Sequence, residues 1–229
     1  MTRNCQCTEQ GILFTLSDRK GSEMQKKAPY KKQKDLYARA AFIQAVLSLL
    51  EEKPFQKISA SEIIIRSGYS RGSFYKYFED KFDLMRKITA EEAEHYTAIL
   101  CGNIRLGETE EISPSYTYQI ALETFRNVLK KKDLYRFILD SEMSDCDVDH
   151  FCRNVTRIFL KKAEIRGKSA PITKDLQNIY YYCNTRLYMS YIQFWAEQDF
   201  SVAPETMAEQ VTALSRDQKT DMLMHRKNE

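Results

Sequence analysis

A chain of 229 residues that is 43% hydrophobic and 29% charged, with 7 glycines, 5 prolines and no β-alternating run, reads as a globular, all-helical protein. Its formal net charge of +3 conceals an uneven distribution: residues 24–90 hold 14 Lys and Arg against 7 Asp and Glu, and residues 91–229 hold 18 against 22. Three histidines, no phosphate loop, no nucleophile elbow and no metal-ligand spacing argue against an enzyme, a metal site or a cofactor, and no apolar run approaches transmembrane length.

The charge asymmetry suits a polyanion-binding head on a sensing or oligomerising body, although ordinary solvated helix faces produce the same numbers. Residues 1–23 fit no amphipathic template and lack the charged start and apolar core of a signal peptide. Two readings stay open for them: a flexible arm, or an upstream leader read as protein, with Met24 as the native start. Lys20-Gly21 can be encoded by a purine run two codons ahead of Met24, where a bacterial ribosome-binding site would stand. Residues 1–30 as a whole are expected to be a disordered arm, and a basic run, Lys26, Lys27, Lys31, Lys32 and Lys34, follows Met24.

Periodicity predicts a first helix over about 32–52, with Leu36, Ala40, Ile43, Leu47 and Leu50 on one face. Lys53-Pro54 ends it, and Phe55 and Ile58 are natural plugs for the core of a small head. The following stretch, ISASEIIIRSGYSRGSFYKYFEDKFDL, organises the chain. Ser59 stands three residues before Glu62, the spacing of a capping box, and launches a short helix that Gly68 can end. Ser70 can cap a second short helix through Tyr77, so two short helices flank a tight glycine turn. Phe74 and Phe78 read as core. The rest of the second helix is unlike a core helix: Arg71 and Lys76 can reach phosphate or guanine, Ser73 can meet a base edge, and Gly72 lets backbone come close to a groove. Asp80 and Asp83 repeat the cap spacing, with Lys81 at the next helix start, where free N–H groups can face a phosphate.

Gly68-Tyr69-Ser70-Arg71-Gly72-Ser73-Phe74-Tyr75-Lys76-Tyr77-Phe78, followed by Lys81 and Leu84, resembles the recognition-helix pattern of the TetR/AcrR family of transcriptional regulators. Ile64, Ser67 and Tyr69 depart from it, standing where the family usually has alanine, alanine and valine. The resemblance implies an N-terminal three-helix helix-turn-helix head over 31–80 and a helical regulatory and dimerisation body over 81–216, with 217–229 a frayed tail. It implies a homodimeric regulator bound to a palindromic operator in double-stranded DNA, a repressor released by a small-molecule effector, working in the cytoplasm. Tyr75, Lys76, Tyr77 and Lys81 then join Ser70, Arg71, Gly72 and Ser73 as DNA-binding residues, Tyr75 and Lys81 through phosphates. Ser59 and Ser61 either touch phosphate or merely cap and face solvent. The basic run before the first helix either contacts DNA or is a solvated tail. A helical co-activator of the same fold, working through partner regulators, is the competing reading.

Further helices are predicted over 81–101, 113–131, from Asp133, over 148–165, over 174–198 and from Pro204. In the family the helix from Lys81 connects body to head. Within the body Phe125, Phe137, Phe151, Tyr181, Tyr188 and Tyr191 are candidate effector-pocket residues, with Arg186 as an anion anchor, although aromatics at helical spacing are more often core. The segment 174–198 is apolar on so much of its circumference that it must be covered on more than one side. A symmetry mate can cover one of those sides. Because the last two helices form the dimer interface in the family, the resemblance implies Leu176, Tyr180, Cys183, Leu187 and Phe194, with Met207, Val211 and Leu214 of the last helix, as interface residues. The cysteines read as reduced thiols, Cys183 among them as a core residue.

Overall fold

The computed structural model describes residues 27–103, 114–165 and 173–214, and these are all helix and connection, with no strand among them. Residues 1–26, 104–113, 166–172 and 215–229, among them the expected leader or arm and the expected tail, lie outside the described residues. In chain order the elements are α1 (Lys27–Glu52), a single 3-10 turn (Phe55–Lys57), α2 (Ala60–Ser67), α3 (Arg71–Tyr77) and α4 (Lys81–Asn103). The body follows with α5 (Pro114–Lys130), α6 (Lys132–Asp140), α7 (Val148–Ile165), α8 (Lys174–Glu197) and α9 (204–214). The chain divides into two units, 1–37 and 38–229. Of the first, the described part is the opening of α1, which begins five residues earlier than its apolar periodicity announces because the lysine-rich stretch is itself helical.

Rotation of α1 differs from the expected one. Its inner face is Ala38, Phe42, Ala45, Val46 and Leu49, whereas Leu36 is 61% exposed and Ala40 faces water. The reason is Phe42, whose ring meets Phe74 and Phe78 edge-on at centroid distances of 5.3 and 6.1 Å. A buried aromatic ring carries more apolar area than a leucine, so it sets which way the helix turns. Phe55 and Ile58 close the same core beneath the 3-10 turn.

In the body α4 packs against α5 and α7, and α7 against α8. One buried polar knot ties three elements: the Glu92 carboxylate on α4 accepts from Asn127 Nδ2 of α5 at 2.7 Å and Tyr135 Oη of α6 at 2.8 Å, and pairs with Lys131 between them. Both carboxylate oxygens of Glu92 accept at least one bond and a cation lies beside them, which is what makes a buried carboxylate tolerable there. Trp195, Ile192 and Met189 are the inner edge of α8, and Phe200 meets Trp195 edge-on with ring centroids 5.1 Å apart. Cys183 is exposed on the outer side of this helix, against the expectation of a core thiol. Among the described cysteines Cys146 and Cys152 are buried, and burial pushes their thiols up to about 11 and about 12.

Candidate functional site

Ser59 begins the head's two short helices by local chemistry alone. Its hydroxyl accepts the Glu62 N–H at 3.2 Å, and the Glu62 carboxylate accepts the Ser59 N–H at 2.8 Å, completing the box. Lys53 pairs with the same carboxylate. Lys53 first and then the two Ser59 bonds hold the Glu62 carboxyl down at about 2. Arg66 grips Glu52 with both guanidinium nitrogens, at 2.7 and 2.9 Å, and so fixes α2 to the end of α1. Gly68 ends α2 at φ 72°, the left-handed conformation where a side chain would be strained.

Ser70 then starts α3, its Oγ accepting from the Ser73 N–H at 3.2 Å. Phe74 points inward and is fully buried, which turns the opposite face of α3 to water. Arg71, Gly72, Tyr75 and Lys76 are exposed there, Tyr75 to 50%, with Ser73 and Tyr77 half-buried at the edges. Arg71 Nη2 reaches Ser61 Oγ at 3.4 Å, and Lys76 Nζ lies 3.1 Å from Tyr77 Oη. A Cβ built on Gly72 would meet nothing within 4 Å. Nothing inside the protein therefore requires glycine at this helical position, where it costs about 1 kcal/mol relative to alanine.

Lys81 does something other than expected. Its ammonium donates to the carbonyl oxygens of Phe55 at 3.2 Å, Gln56 at 3.3 Å and Ile58 at 2.6 Å, and lies over the rings of Phe55 and Phe82. Three donors on three carbonyls leave none for a phosphate. Burial lowers its pKa, with Glu62 opposing. The lysine acts as a clamp on the 3-10 turn. Ser59 and Ser70 likewise spend their oxygens on caps. Lys87 went unforeseen: its Nζ caps the Tyr77 carbonyl at 2.8 Å and bonds Asp83 Oδ2 at 2.8 Å, closing the C-terminus of α3. In the sequence, only the Asp83–Lys87 spacing of four hints at this role.

In the body a cavity of about 170 Å³ lies between α4, α5, α7 and α8, lined by Tyr96, Ile120, Val155, Phe159 and Tyr181, with Tyr188 and others. Tyr181 and Tyr188 are two of the expected pocket residues. The others lie elsewhere. Phe125 packs edge-on against Trp195, Phe151 sits beside Tyr96 and Tyr135, and Phe137 meets Phe55 of the head edge-on at 5.0 Å. Tyr191 is half-buried against Tyr188, and Arg186 is exposed near Asp149 and Cys152. Large rings served the core first, because filling it is the stronger demand. Of the expected interface residues, Leu176, Tyr180, Cys183, Leu187 and Phe194 are exposed along α8 and Leu214 on α9. Met207 and Val211 are instead buried within the chain.

Two family models match: "Bacterial regulatory proteins, tetR family" over residues 42–88 and "Transcriptional regulator C-terminal region" over residues 116–217. The chain is 24% identical over 177 residues to the uncharacterized HTH-type transcriptional regulator YxbF of Bacillus subtilis (strain 168), a match spanning 77% of this chain and 44% of that relative. Among solved structures, the fatty acid degradation regulator FadR of Bacillus halodurans superposes with a TM-score of 0.56 at 13% identity, covering 77% of this chain and 93% of that one. FadR of Bacillus subtilis in complex with stearoyl-CoA gives 0.55 at 14% identity, covering 76% and 96%. Two family models, one on the head and one on the body, carried by an all-helical fold, make this chain a member of the tetR family.

Proposed function

We propose that the chain is a homodimeric repressor, working in the cytoplasm, that binds a near-palindromic operator in double-stranded DNA and leaves it when a small molecule enters the body. The observation that carries the DNA-binding part is the outer face of α3. It is cationic and hydroxyl-rich, and it keeps at Gly72 a bare backbone that the protein's own packing does not need. Arg71 and Ser73 are assigned to base edges, and Tyr75, Lys76 and Tyr77 to phosphates. Ser59, Ser61 and Ser70 border this face, and through their hydroxyls, already engaged in caps or with Arg71, they are assigned the lesser contacts.

The exposed row Leu176, Tyr180, Leu187 and Phe194 on α8 supports a dimer, since isolated monomers seldom leave so many large apolar side chains in one line facing water. To read a near-palindrome, the two copies of α3 in such a dimer must meet half-sites one helical turn of DNA apart or a multiple of it. The aromatic-lined cavity supports an effector, as does the stearoyl-CoA held by the FadR neighbour.

The deciding experiment recovers bound duplexes from random DNA and then compares variants on the recovered site. Arg71→Ala should cost about 1–3 kcal/mol on that site and relax one position per half-site. Lys76→Ala should weaken all duplexes alike and flatten the salt dependence by about one unit. Equal losses of Arg71→Ala on specific and random DNA would make Arg71 a phosphate ligand, and no enrichment of any duplex would end the operator reading. Sedimentation of a well-folded monomer at micromolar concentration would end the dimer reading.

A further inference from the structure

We infer that the body's cavity takes a small, uncharged aromatic molecule of about one ring, carrying a single hydroxyl or carbonyl that the phenol groups of Tyr96 and Tyr188 meet. This rests on the effector reading above and adds the chemical class. Three observations carry it.

The first is size. At about 170 Å³ the space is close to the roughly 150 Å³ apolar cavity that stays dry and admits benzene, and it is well below the roughly 300–1,000 Å³ that drug-sized ligands occupy. The second is the wall. Phe159 and Tyr181 stack with centroids 4.0 Å apart, and Tyr180 and Tyr188 complete an aromatic rim around Ile120 and Val155. Aromatic side chains offer faces and edges to another ring at low entropic cost. Among the described residues, the lining holds no charged side chain. A carboxylate or a phosphate placed here would lose its hydration and gain no cation.

The third is an unpaired hydroxyl. Tyr96 is fully buried on α4, and its Oη is one of two buried side-chain oxygens among the described residues with no hydrogen-bond partner, the other being Thr124 Oγ1. Buried hydroxyls are nearly always bonded, so an unpaired one on a residue that lines the cavity is available to a ligand's polar group that comes within reach. Two polar groups of the wall are committed within α8, Asn184 Nδ2 to the Tyr180 carbonyl and Thr185 Oγ1 to the Tyr181 carbonyl, both at 2.8 Å. Burial drives the Tyr96 hydroxyl well above its ordinary titration range and the Tyr188 hydroxyl up to about 12. Both phenols therefore stay neutral and able to donate, in surroundings that penalise an anion. Since α4 begins at Lys81, against the head, a bond to Tyr96 lands on the helix whose first turns hold Asp83 and Lys87 beneath α3.

The test titrates the full-length protein with acetophenone, p-cresol, toluene, benzoate and stearoyl-CoA by calorimetry near neutral pH, and repeats each with Tyr96→Phe. Acetophenone and p-cresol should bind, with benzoate weaker by about tenfold or more. Tyr96→Phe should weaken acetophenone and p-cresol by about threefold to tenfold and leave toluene unchanged. Val155→Phe, checked by its melting curve, should fill the cavity and abolish binding of all three neutral compounds. Tighter binding of benzoate or stearoyl-CoA than of the neutral compounds would overturn the class, as would no binding of any neutral compound. The effector reading is separated by a gel-shift arm. If the neutral compounds bind in the cavity but leave the recovered operator complex intact, the ligand class stands and release by a ligand fails.

Discussion

The ammonium of Lys81 lies 2.6 Å from the carbonyl oxygen of Ile58, twenty-three residues back, and bonds the Phe55 and Gln56 carbonyls on the way. The first residue of α4 thus holds shut the turn that delivers the chain to α2. Three carbonyls that would otherwise compete for water share one charge. Lys81→Met keeps the stem over the Phe55 and Phe82 rings and removes the donors. It should lower the urea stability of the protein by about 1–3 kcal/mol. The salt dependence of DNA binding should keep its slope in the folded variant, and a slope flatter by about one unit would return Lys81 to the phosphates.

Gly72 separates what the fold needs from what the ligand needs. Alanine there meets no atom within 4 Å and favours helix, so Gly72→Ala should stabilise the head by about 0.5–1 kcal/mol. On DNA the same methyl group would stand between backbone and groove, and affinity should fall. Chemical denaturation and a gel shift on one preparation check both signs. A variant that gains stability and keeps full affinity would show that Gly72 does not approach DNA.

Glu62 links the head to acid. Its folded carboxyl titrates at about 2 against an ordinary 4.5, so its contribution to stability is fully present above 4.5 and is lost as pH falls toward 2. Glu62→Gln removes that dependence. The difference in denaturation midpoint between wild type and variant should therefore be constant near neutral pH and shrink on acidification below about 4.5. A difference that does not change through this window would mean that Lys53 and Ser59 do not hold the charge.

Glu92 is the acceptor on which Asn127, Lys131 and Tyr135 converge. Glu92→Leu would orphan two buried donors, while half-exposed Lys131 could turn to water. The loss should be about 2–3 kcal/mol, at the low end for a broken buried pair. Glu92→Gln keeps an acceptor for Asn127 and Tyr135 and should cost about 1 kcal/mol. Thermal melting of the two variants orders them, and equal losses would mean that the charge on Glu92, more than its acceptors, holds α4 to α5 and α6.

What the chain's own order of residues determined is the local grammar. Ser59 with Glu62, Gly68, and Ser70 with Ser73 define α2, the turn and α3 within a dozen or so residues. Those interactions span three or four positions, and no distant partner is needed to read them. The inward pointing of Phe74 and Phe78 and the outward one of Tyr75 follow from the same spacing. Tertiary structure decided everything that depends on which large side chain reaches a shared space first. Phe42, not Leu36, set the rotation of α1; Phe125, Phe137 and Phe151 went to the core; and Met207 and Val211 turned inward while Leu187 and Phe194 stayed out. Lys81 found three carbonyls in a turn over twenty residues away, and Tyr96 was left beside a cavity with its hydroxyl unpaired. Helical periodicity names a stripe of apolar residues but not the neighbour it will meet, and competition for close packing among non-local partners settles that second question.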